Sequence, residues 1–489
     1  MDKVASHPSG KSAVSARIVK AVGLFSGLQI VSILCSVIKT KLVSIWLGSA
    51  GIGIFGILTS AQETIATFTD LGLRQSTVRD VASNAKSDSK LARITAVIRR
   101  WSVLAGLLGA SVMLALSPAL GQWFFGSAKG FYGFAIVAAA MFFNCLLYGE
   151  QSLLQGTGRL RLLARSSLIG TIIGLAISIP LFRLLGLISI PLSFVIYSLS
   201  ILAATLYYRY RPPQKAATPG LRQLWLEGSG FVKLGILMSI AAFLTSLSRL
   251  VFIACLTHLS SLDTVGLFQA GDTIVTRYIG LIFTAIGMEY FPRLVTVIKS
   301  SHRTSLFVNH ETVLLTLIVT PVVLLFILCR DIAVNILYSE SFTPILTFIS
   351  LAVAGSIMKA ASWSLSFCMI ARGDGRTYLL AEGLDALLSL ALLLIGYQIW
   401  GLTGIGLAYV AWNLLYTLLV AALCRRRYSL KLSRQSIATI AVSVAAALGA
   451  CAVMRLSAIW LQIVIILPCA LAYIVPLRNL IRRKKRTTF

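Results

Sequence analysis

The sequence predicts an all-α polytopic membrane protein: about fourteen transmembrane helices, in two six-helix lobes related by a pseudo-twofold axis, plus two C-terminal helices. Three observations carry this. Of 489 residues, 57% are hydrophobic and only 12% are charged, with a mean hydropathy of +0.87. Soluble domains average about 45–50% apolar and about 25% charged. The apolar residues also fall into runs near the roughly 20 residues that a helix needs to cross the hydrocarbon core. Finally, the chain echoes itself about 215 residues on.

The runs centre near residues 30, 60, 111, 142, 174, 197, 243, 277, 319, 356, 389, 413, 445 and 466. Trp101–Ala128 carries no charge, and neither does Ala386–Cys424, which is long enough for a helical hairpin. The runs near 60 and 277 contain ionisable residues. Their order divides the chain into a tail (1–17), an N-lobe of six spans (18–208), a linker (209–230), a C-lobe of six spans (231–424), two added spans (425–477) and a basic tail (478–489). The linker contains Arg211-Pro-Pro-Gln-Lys215, a turn-forming stretch.

The repeat rests on particular residues. Gly156-Thr-Gly-Arg159 is echoed by Gly373-Asp-Gly-Arg376, and each is followed by Leu-Leu-Ala. After a two-residue slip, Gly186-Leu187, Ile190, Leu192 and Val195 align with Gly401-Leu402, Ile405, Leu407 and Val410. Gly53-Ile-Phe55 similarly matches Gly266-Leu-Phe268. A repeat unit with an even number of spans makes the copies parallel. Two such halves suit alternating access by rocking.

Charge gives the orientation. There are 44 Lys+Arg against 16 Asp+Glu, a net charge of +28. Such an excess suits nucleic acid as well as membranes. Here most of the cations fall in short loops on one side of the spans, as the positive-inside bias requires, so no nucleic-acid partner is expected. Both termini are placed in the cytoplasm, and Lys129, Arg183, Arg330 and Arg455 fall in outer loops. The basic run Arg482–Arg486 suits an anionic membrane surface. Residues 1–20 show no signal-peptide cleavage pattern, so the first span is expected to direct insertion.

Catalytic and metal signatures are missing. The eight cysteines are scattered and contain no CxxC pair, and the four histidines have no ligand spacing. Gly10-Lys11-Ser12 ends a near-match to a phosphate loop, but no strand precedes it and no cytoplasmic segment is long enough for a nucleotide-binding domain. No catalytic residue, metal or cofactor is assigned.

Charges inside spans are more informative. An ionisable group in hydrocarbon costs about 2.5–3.5 kcal/mol on insertion scales, so it faces the bundle interior or a wet cavity. Lys39, Lys41, Arg249, Arg277 and Lys359 are the cations; Glu63, Glu150, Asp272 and Asp385 are the anions. Lys41 has the position of a snorkelling residue, and Glu150 that of a structural acid at a cytoplasmic helix end. Asp272 and Arg277 are close enough in sequence to neutralise each other. Arg249 and Lys359 have no acid within five residues. Unpartnered cations suit an anionic ligand. Arg249, Lys359, Lys39 and Arg277 are therefore candidates for binding a pyrophosphate. Trp363, one turn from Lys359, offers a flat face to a sugar or serves packing. If a proton or Na⁺ is coupled, Glu63, Asp272 and Asp385 are the candidates.

Several of these stretches also resemble a known family. Leu47-Gly-Ser-Ala-Gly-Ile-Gly-Ile-Phe55, Val265-Gly-Leu-Phe-Gln269 and Phe291-Pro-Arg-Leu294 are similar to motifs of the oligosaccharide flippases of the polysaccharide transporter family. So are Arg330-Asp331 with Leu337–Phe342, Lys359, and Tyr378-Leu-Leu-Ala-Glu382. The similarity runs from about Ile18 to Arg427 and is to O-antigen and enterobacterial common antigen translocases, within the multidrug/oligosaccharidyl-lipid/polysaccharide exporter superfamily. It implies transfer of an undecaprenyl-pyrophosphate-linked oligosaccharide across the bacterial cytoplasmic (inner) membrane, in O-antigen or lipopolysaccharide assembly. Membrane lipids, and a polysaccharide polymerase and chain-length regulator, are the implied partners. The two spans after Arg434 depart from the usual twelve. A similar pair in lipid II flippases forms a groove for the lipid tail; here that role stands against a peripheral anchor. The rival readings are a cation-coupled multidrug exporter of the same superfamily and a membrane-embedded polymerase or ligase. The exporter would favour acids on span 1, where none occurs between Asp2 and Glu63. The enzyme would need a substantial outer loop, and every predicted outer loop is short.

Overall fold

The computed structural model describes residues 31, 33–69, 73–84, 87–126, 130–210, 221–456 and 459–478. The phosphate-loop-like stretch, the N-terminal tail and the basic run Arg482–Arg486 lie outside them. The described residues contain helices and no strand. They form two compact units, one of residues 1–47 and 61–239 and the other of residues 48–60 and 240–489.

Unit 1 begins with α1 (residues 33–46) and the second part of α2 (Gly48–Thr69). The short polar α3 (Leu73–Asn84) follows. Next come α4 (Asp88–Phe125), α5 (Phe131–Gly156), α6 (Leu160–Leu185) and α7 (Ser189–Tyr207). Helix α4 has 38 residues, roughly 57 Å at 1.5 Å per residue, so its polar first turns extend beyond the membrane. It ends at Gly126, whose left-handed backbone lets its N–H bond to Gln122 O. Helix α5 packs against α4 and α7, and α6 pairs with α7.

Unit 2 contains the first part of α2 and the second half of α8 (Leu221–Leu259), then α9 (Leu262–Thr273), α10 (Gly280–Val297) and α11 (Ser301–Leu328). Residues 221–230, expected in the linker, are the start of α8. The short α12 (Arg330–Leu337) is followed by α13 (Leu346–Gly355), α14 (Lys359–Ala371), α15 (Gly375–Tyr428), α16 (Arg434–Val453) and α17 (Ile459–Ala472). Eight helices are long and apolar enough to cross a membrane, or up to ten if each bent pair is one span, among the described residues. Two of the eight, Leu160–Tyr207 and Gly375–Tyr428, are 48 and 54 residues long. Each is twice the length of one crossing and turns at a glycine, Gly186 or Gly401.

The added helices are fixed to unit 2. Both α16 and α17 pack on α11. Asn309 of α11 donates to Lys431 O (2.9 Å) and accepts from the Ser433 N–H (2.6 Å) and the Ser436 hydroxyl (2.9 Å). One amide side chain thus holds the entry into α16.

The repeat is written in the backbone, in a different register from the sequence echo. Gly158 and Gly373 both have φ +72°, and Gly186 and Gly401 have +57° and +58°. The N–H groups of Thr157, Gly158 and Arg159 bond to Leu153, Gln155 and Leu154; those of Arg372, Gly373 and Asp374 bond to Cys368, Ile370 and Met369. All six pairs, like the two glycine pairs, are 215 positions apart. The match of the two GxGR motifs is therefore out by two residues, and the apparent slip disappears. Arg159, not the Thr157 of the sequence echo, begins the helix equivalent to the one begun by Asp374.

Each unit closes its basic end with an Arg–acid–Tyr clasp. In unit 1, buried Glu150 receives Arg99 through two nitrogens (2.7 and 3.1 Å) and Arg209 (3.2 Å). Arg99 also donates to Tyr210 O (2.7 Å), and Arg159 lies 4.7 Å from the Tyr210 ring. Glu150 is thus the structural acid expected from sequence. In unit 2 the acid is Asp374, the N-cap of α15. It accepts from Tyr428 (2.7 Å), from the Thr377 hydroxyl (2.8 Å) and N–H (3.1 Å), and from Arg427 (3.4 Å). Arg372 lies over the Tyr428 ring at 4.8 Å.

Asp374 yields a pH prediction. The Tyr428 hydroxyl, with help from Thr377 and Arg427, holds its carboxyl at about 2, below the usual aspartate range. A depressed acid stabilises the folded state fully above its unfolded pKa, and the contribution disappears as pH falls through the folded value. Asp374→Asn should lower the thermal midpoint in detergent at pH 6. The gap from wild type should shrink between about pH 4 and pH 2.

Candidate functional site

The ionisable side chains sort into three groups. The first lies in unit 1. Lys39 on α1 is half-buried, with Nζ 4.5 Å from the Tyr197 ring centroid and 5.8 Å from that of Phe194, both on α7. Such contacts hold a cation by the negative face of the ring. Lys41 is half-buried on the same helix, and Glu63 on α2 is exposed.

The second group overturns two expectations. Arg249 of α8 has no acid near it in sequence, yet it is ion-paired with Asp272 of α9. Its Nη2 also donates to Gln269 Oε1 (3.2 Å), and Tyr409 of α15 donates its hydroxyl to Asp272. Asp272 and Gln269 are buried, while a third of the Arg249 side chain is accessible. Arg249 is therefore not an unpartnered cation. Asp272 is neutralised by Arg249 across two helices, so its expected pairing with Arg277 does not carry the site. Arg277 is exposed on a wide π-type turn, Ile274–Ile279, between α9 and α10. The extra residue in such a turn shifts side chains off the helical register.

The third group surrounds Lys359. This residue opens α14 after a 49° bend from the preceding helix. It is exposed, although Met358 and Ala360 beside it are buried. Its Nζ is 5.9 Å from the Phe283 ring, and no carboxylate lies within ion-pair distance among the described residues. Two acids on α15, Glu382 and Asp385, are near enough to feel its field. Each is held by a donor from the other arm of the same hairpin: Tyr416 gives a hydrogen bond to Glu382 (2.9 Å), and the Trp412 indole gives one to Asp385 (2.6 Å).

Trp363 is half-buried one turn beyond Lys359. Its ring centroid lies 6.0, 5.2 and 4.5 Å from those of Phe283, Tyr290 and Phe367. With three aromatic neighbours it acts first as packing.

The structure thus pairs Arg249 with Asp272 and leaves Lys359 unpaired with Asp385 in the same unit, among the described residues. Sequence reasoning gave no role to Gln269, Tyr409, Trp412 or Tyr416. It also passed over Glu382 as a site residue, although Glu382 and Asp385 are three apart and so share a helix face. The three α15 aromatics recur at helical spacing, but nothing local ties them to an acid. No cluster of metal-ligating side chains occurs among the described residues.

Comparison with known proteins adds the family. A family model described as polysaccharide biosynthesis protein matches residues 25–347, well over half of the chain. The chain belongs to that family. No curated protein matches it in sequence. Among solved structures, an inward-facing multidrug resistance MATE family transporter of the MOP superfamily aligns with a TM-score of 0.67 at 14% identity, over 84% of this chain and 98% of the other. The lipid II flippase MurJ, in an inward closed conformation, aligns with a TM-score of 0.63 at 14% identity, over 95% and 100%. An outward-facing MATE family transporter scores 0.57 at 15% identity, over 84% and 96%. At these identities the likeness is one of fold. This member of the polysaccharide biosynthesis family has the superfamily's helical architecture, and the MurJ alignment covers more of it than either MATE alignment does.

The ion pair generates a stability prediction. Arg249→Ala leaves a buried carboxylate without its cation, at a cost of roughly 3 kcal/mol. Arg249→Ala with Asp272→Ala should recover most of that loss. Thermal unfolding of the purified single and double variants in detergent measures both.

Proposed function

We propose that the protein is a flippase that moves an undecaprenyl-pyrophosphate-linked oligosaccharide across the bacterial cytoplasmic membrane by alternating access, with both termini in the cytoplasm. It supplies O-antigen or another surface polysaccharide, breaks no covalent bond, and hands its product to a polymerase and chain-length regulator. The observation that carries this reading is Lys359: an exposed ammonium at the start of an otherwise buried helix turn, with no carboxylate paired to it among the described residues. An ammonium on a flexible stem binds phosphate as a point charge. Family membership supplies the saccharide, and the neighbouring Glu382, Tyr416 and Asp385 give hydroxyl groups of a glycan polar partners. Arg249 is assigned to holding the unit together. Of the candidates for coupling to a proton or Na⁺, Asp385 is favoured, because it adjoins Lys359 while Asp272 is committed to Arg249.

Transport of a labelled lipid-linked oligosaccharide into reconstituted vesicles tests the reading. Wild type should flip it, and Lys359→Ala should slow the rate at least tenfold with the amount of folded protein unchanged, because a charge-assisted contact is worth about 1.5–3 kcal/mol. Full-rate flipping by Lys359→Ala would remove the site. A wild type that ignores every polyprenyl-linked sugar and exports a cationic dye would establish the multidrug reading instead.

A further inference from the structure

The α6–α7 hairpin of unit 1 carries an open trough of about 460 Å³ that the transport reading leaves unused. Ile169 and Ile173 from α6 and Leu199, Ala203 and Ala204 from α7 form its walls, and Tyr207 and Tyr208 close one end. Its volume lies in the range of small-molecule sites, about 300–1,000 Å³. The hollow follows from the sequence. Gly170 lies against the backbone of Ile201 and Gly174 against Tyr197, so the two helices touch closely there. The small Ala203 and Ala204 then leave space beside the large Ile169.

The same register locates the mouth. The helices are antiparallel, with 170 opposite 201 and 174 opposite 197. Continuing it brings Arg165 level with Leu206 and Tyr207. Arg165, Ile169 and Ile173 recur every four residues, so the cation sits on the face that lines the trough, one turn beyond it. A helical side chain leans toward the N-terminus of its helix, which aims the Arg165 guanidinium out of the apolar zone toward the interface. Arg165 is exposed, and no carboxylate is paired with it among the described residues. Tyr207 is 82% exposed, and its ring meets that of Tyr208 edge-on at 5.0 Å. Exposed tyrosines of this kind sit at headgroup depth. The end of the hairpin with Arg159, Arg161, Arg165 and Arg209 is also the end that the positive-inside bias turns to the cytoplasm.

The geometry points to a binding site for an anionic phospholipid of the cytoplasmic leaflet, with an acyl chain in the trough and the phosphate on Arg165. Any lipid could fill the trough; the cation at headgroup depth selects a net negative head. Basic pockets between transmembrane helices on this side are a recurrent mode of such recognition. The site is separate from the Lys359 group and stands whether or not the transport reading holds.

The test uses the full chain in phosphatidylcholine nanodiscs containing phosphatidylglycerol, with lipid retention read by native mass spectrometry after gentle release. Wild type should retain phosphatidylglycerol over phosphatidylcholine by about tenfold or more, as expected for one charge-assisted phosphate contact. Arg165→Gln should abolish the preference, and Ala204→Phe should reduce retention of both lipids by filling the trough. Arg165→Lys, which keeps the charge, should preserve most of the preference and controls for folding. Equal retention of the two lipids by wild type, a preference unchanged in Arg165→Gln, or a retention unchanged in Ala204→Phe would overturn the site. Displacement of phosphatidylglycerol by an equimolar polyprenyl phosphate would overturn the phospholipid assignment and make the trough a dock for an isoprenoid chain.

Discussion

A charge inside hydrocarbon must find a countercharge, an aromatic face or water, and this requirement organises the molecule. Arg249 and Asp272 satisfy it through each other, reinforced by Gln269 and Tyr409. Lys39 lies over Tyr197. Glu150 is gripped by two arginines. Lys359 stays exposed at a helix bend. That difference in how each charge is housed separates the paired groups from the exposed one.

Much of the fold was legible because lipid imposes so simple a pattern. Run length marked the spans, and the uncharged stretch Ala386–Cys424 does fold as a hairpin turning at Gly401. The GxGR echo identified a real repeat but gave the wrong register. Local resemblance weighs side chains equally, whereas the backbone repeats where a left-handed glycine and its hydrogen bonds recur. Gly158 and Gly373 satisfy that condition; Gly156 and Gly373 do not. The site was less legible. Counting acids within five residues made Arg249 look alone, because sequence distance says nothing about the neighbouring helix that supplies Asp272. Lys359 is housed differently. Its acids are also distant in sequence, but they stop short of pairing with it.

The two added helices show how little composition says about attachment. Arg434–Val453 reads as one more apolar span. Its placement depends on Asn309, a polar residue in α11 that bonds to Lys431, Ser433 and Ser436. Removing α16 would leave the Asn309 carbonyl without both of its donors, so the pair is integrated into unit 2 rather than appended to it. Because no charged side chain is involved, the attachment is invisible to charge counting.

The repeat keeps its scaffold while its chemistry diverges. In the backbone register, the positions of Lys359, Glu382 and Asp385 correspond to Asn144, Ser167 and Gly170, none of them ionisable. Gly170, where the other copy places Asp385, lets α6 and α7 touch backbone to backbone. Trp412, which holds Asp385, corresponds to Tyr197, which faces Lys39. One copy therefore spends this region on an acid pair beside an exposed ammonium. The other spends it on close helix packing, and that packing opens the trough beside it. Had duplication preserved function symmetrically, both copies would carry the ionisable set. Their divergence leaves unit 2 with an ionisable set at these positions and unit 1 with close helix packing.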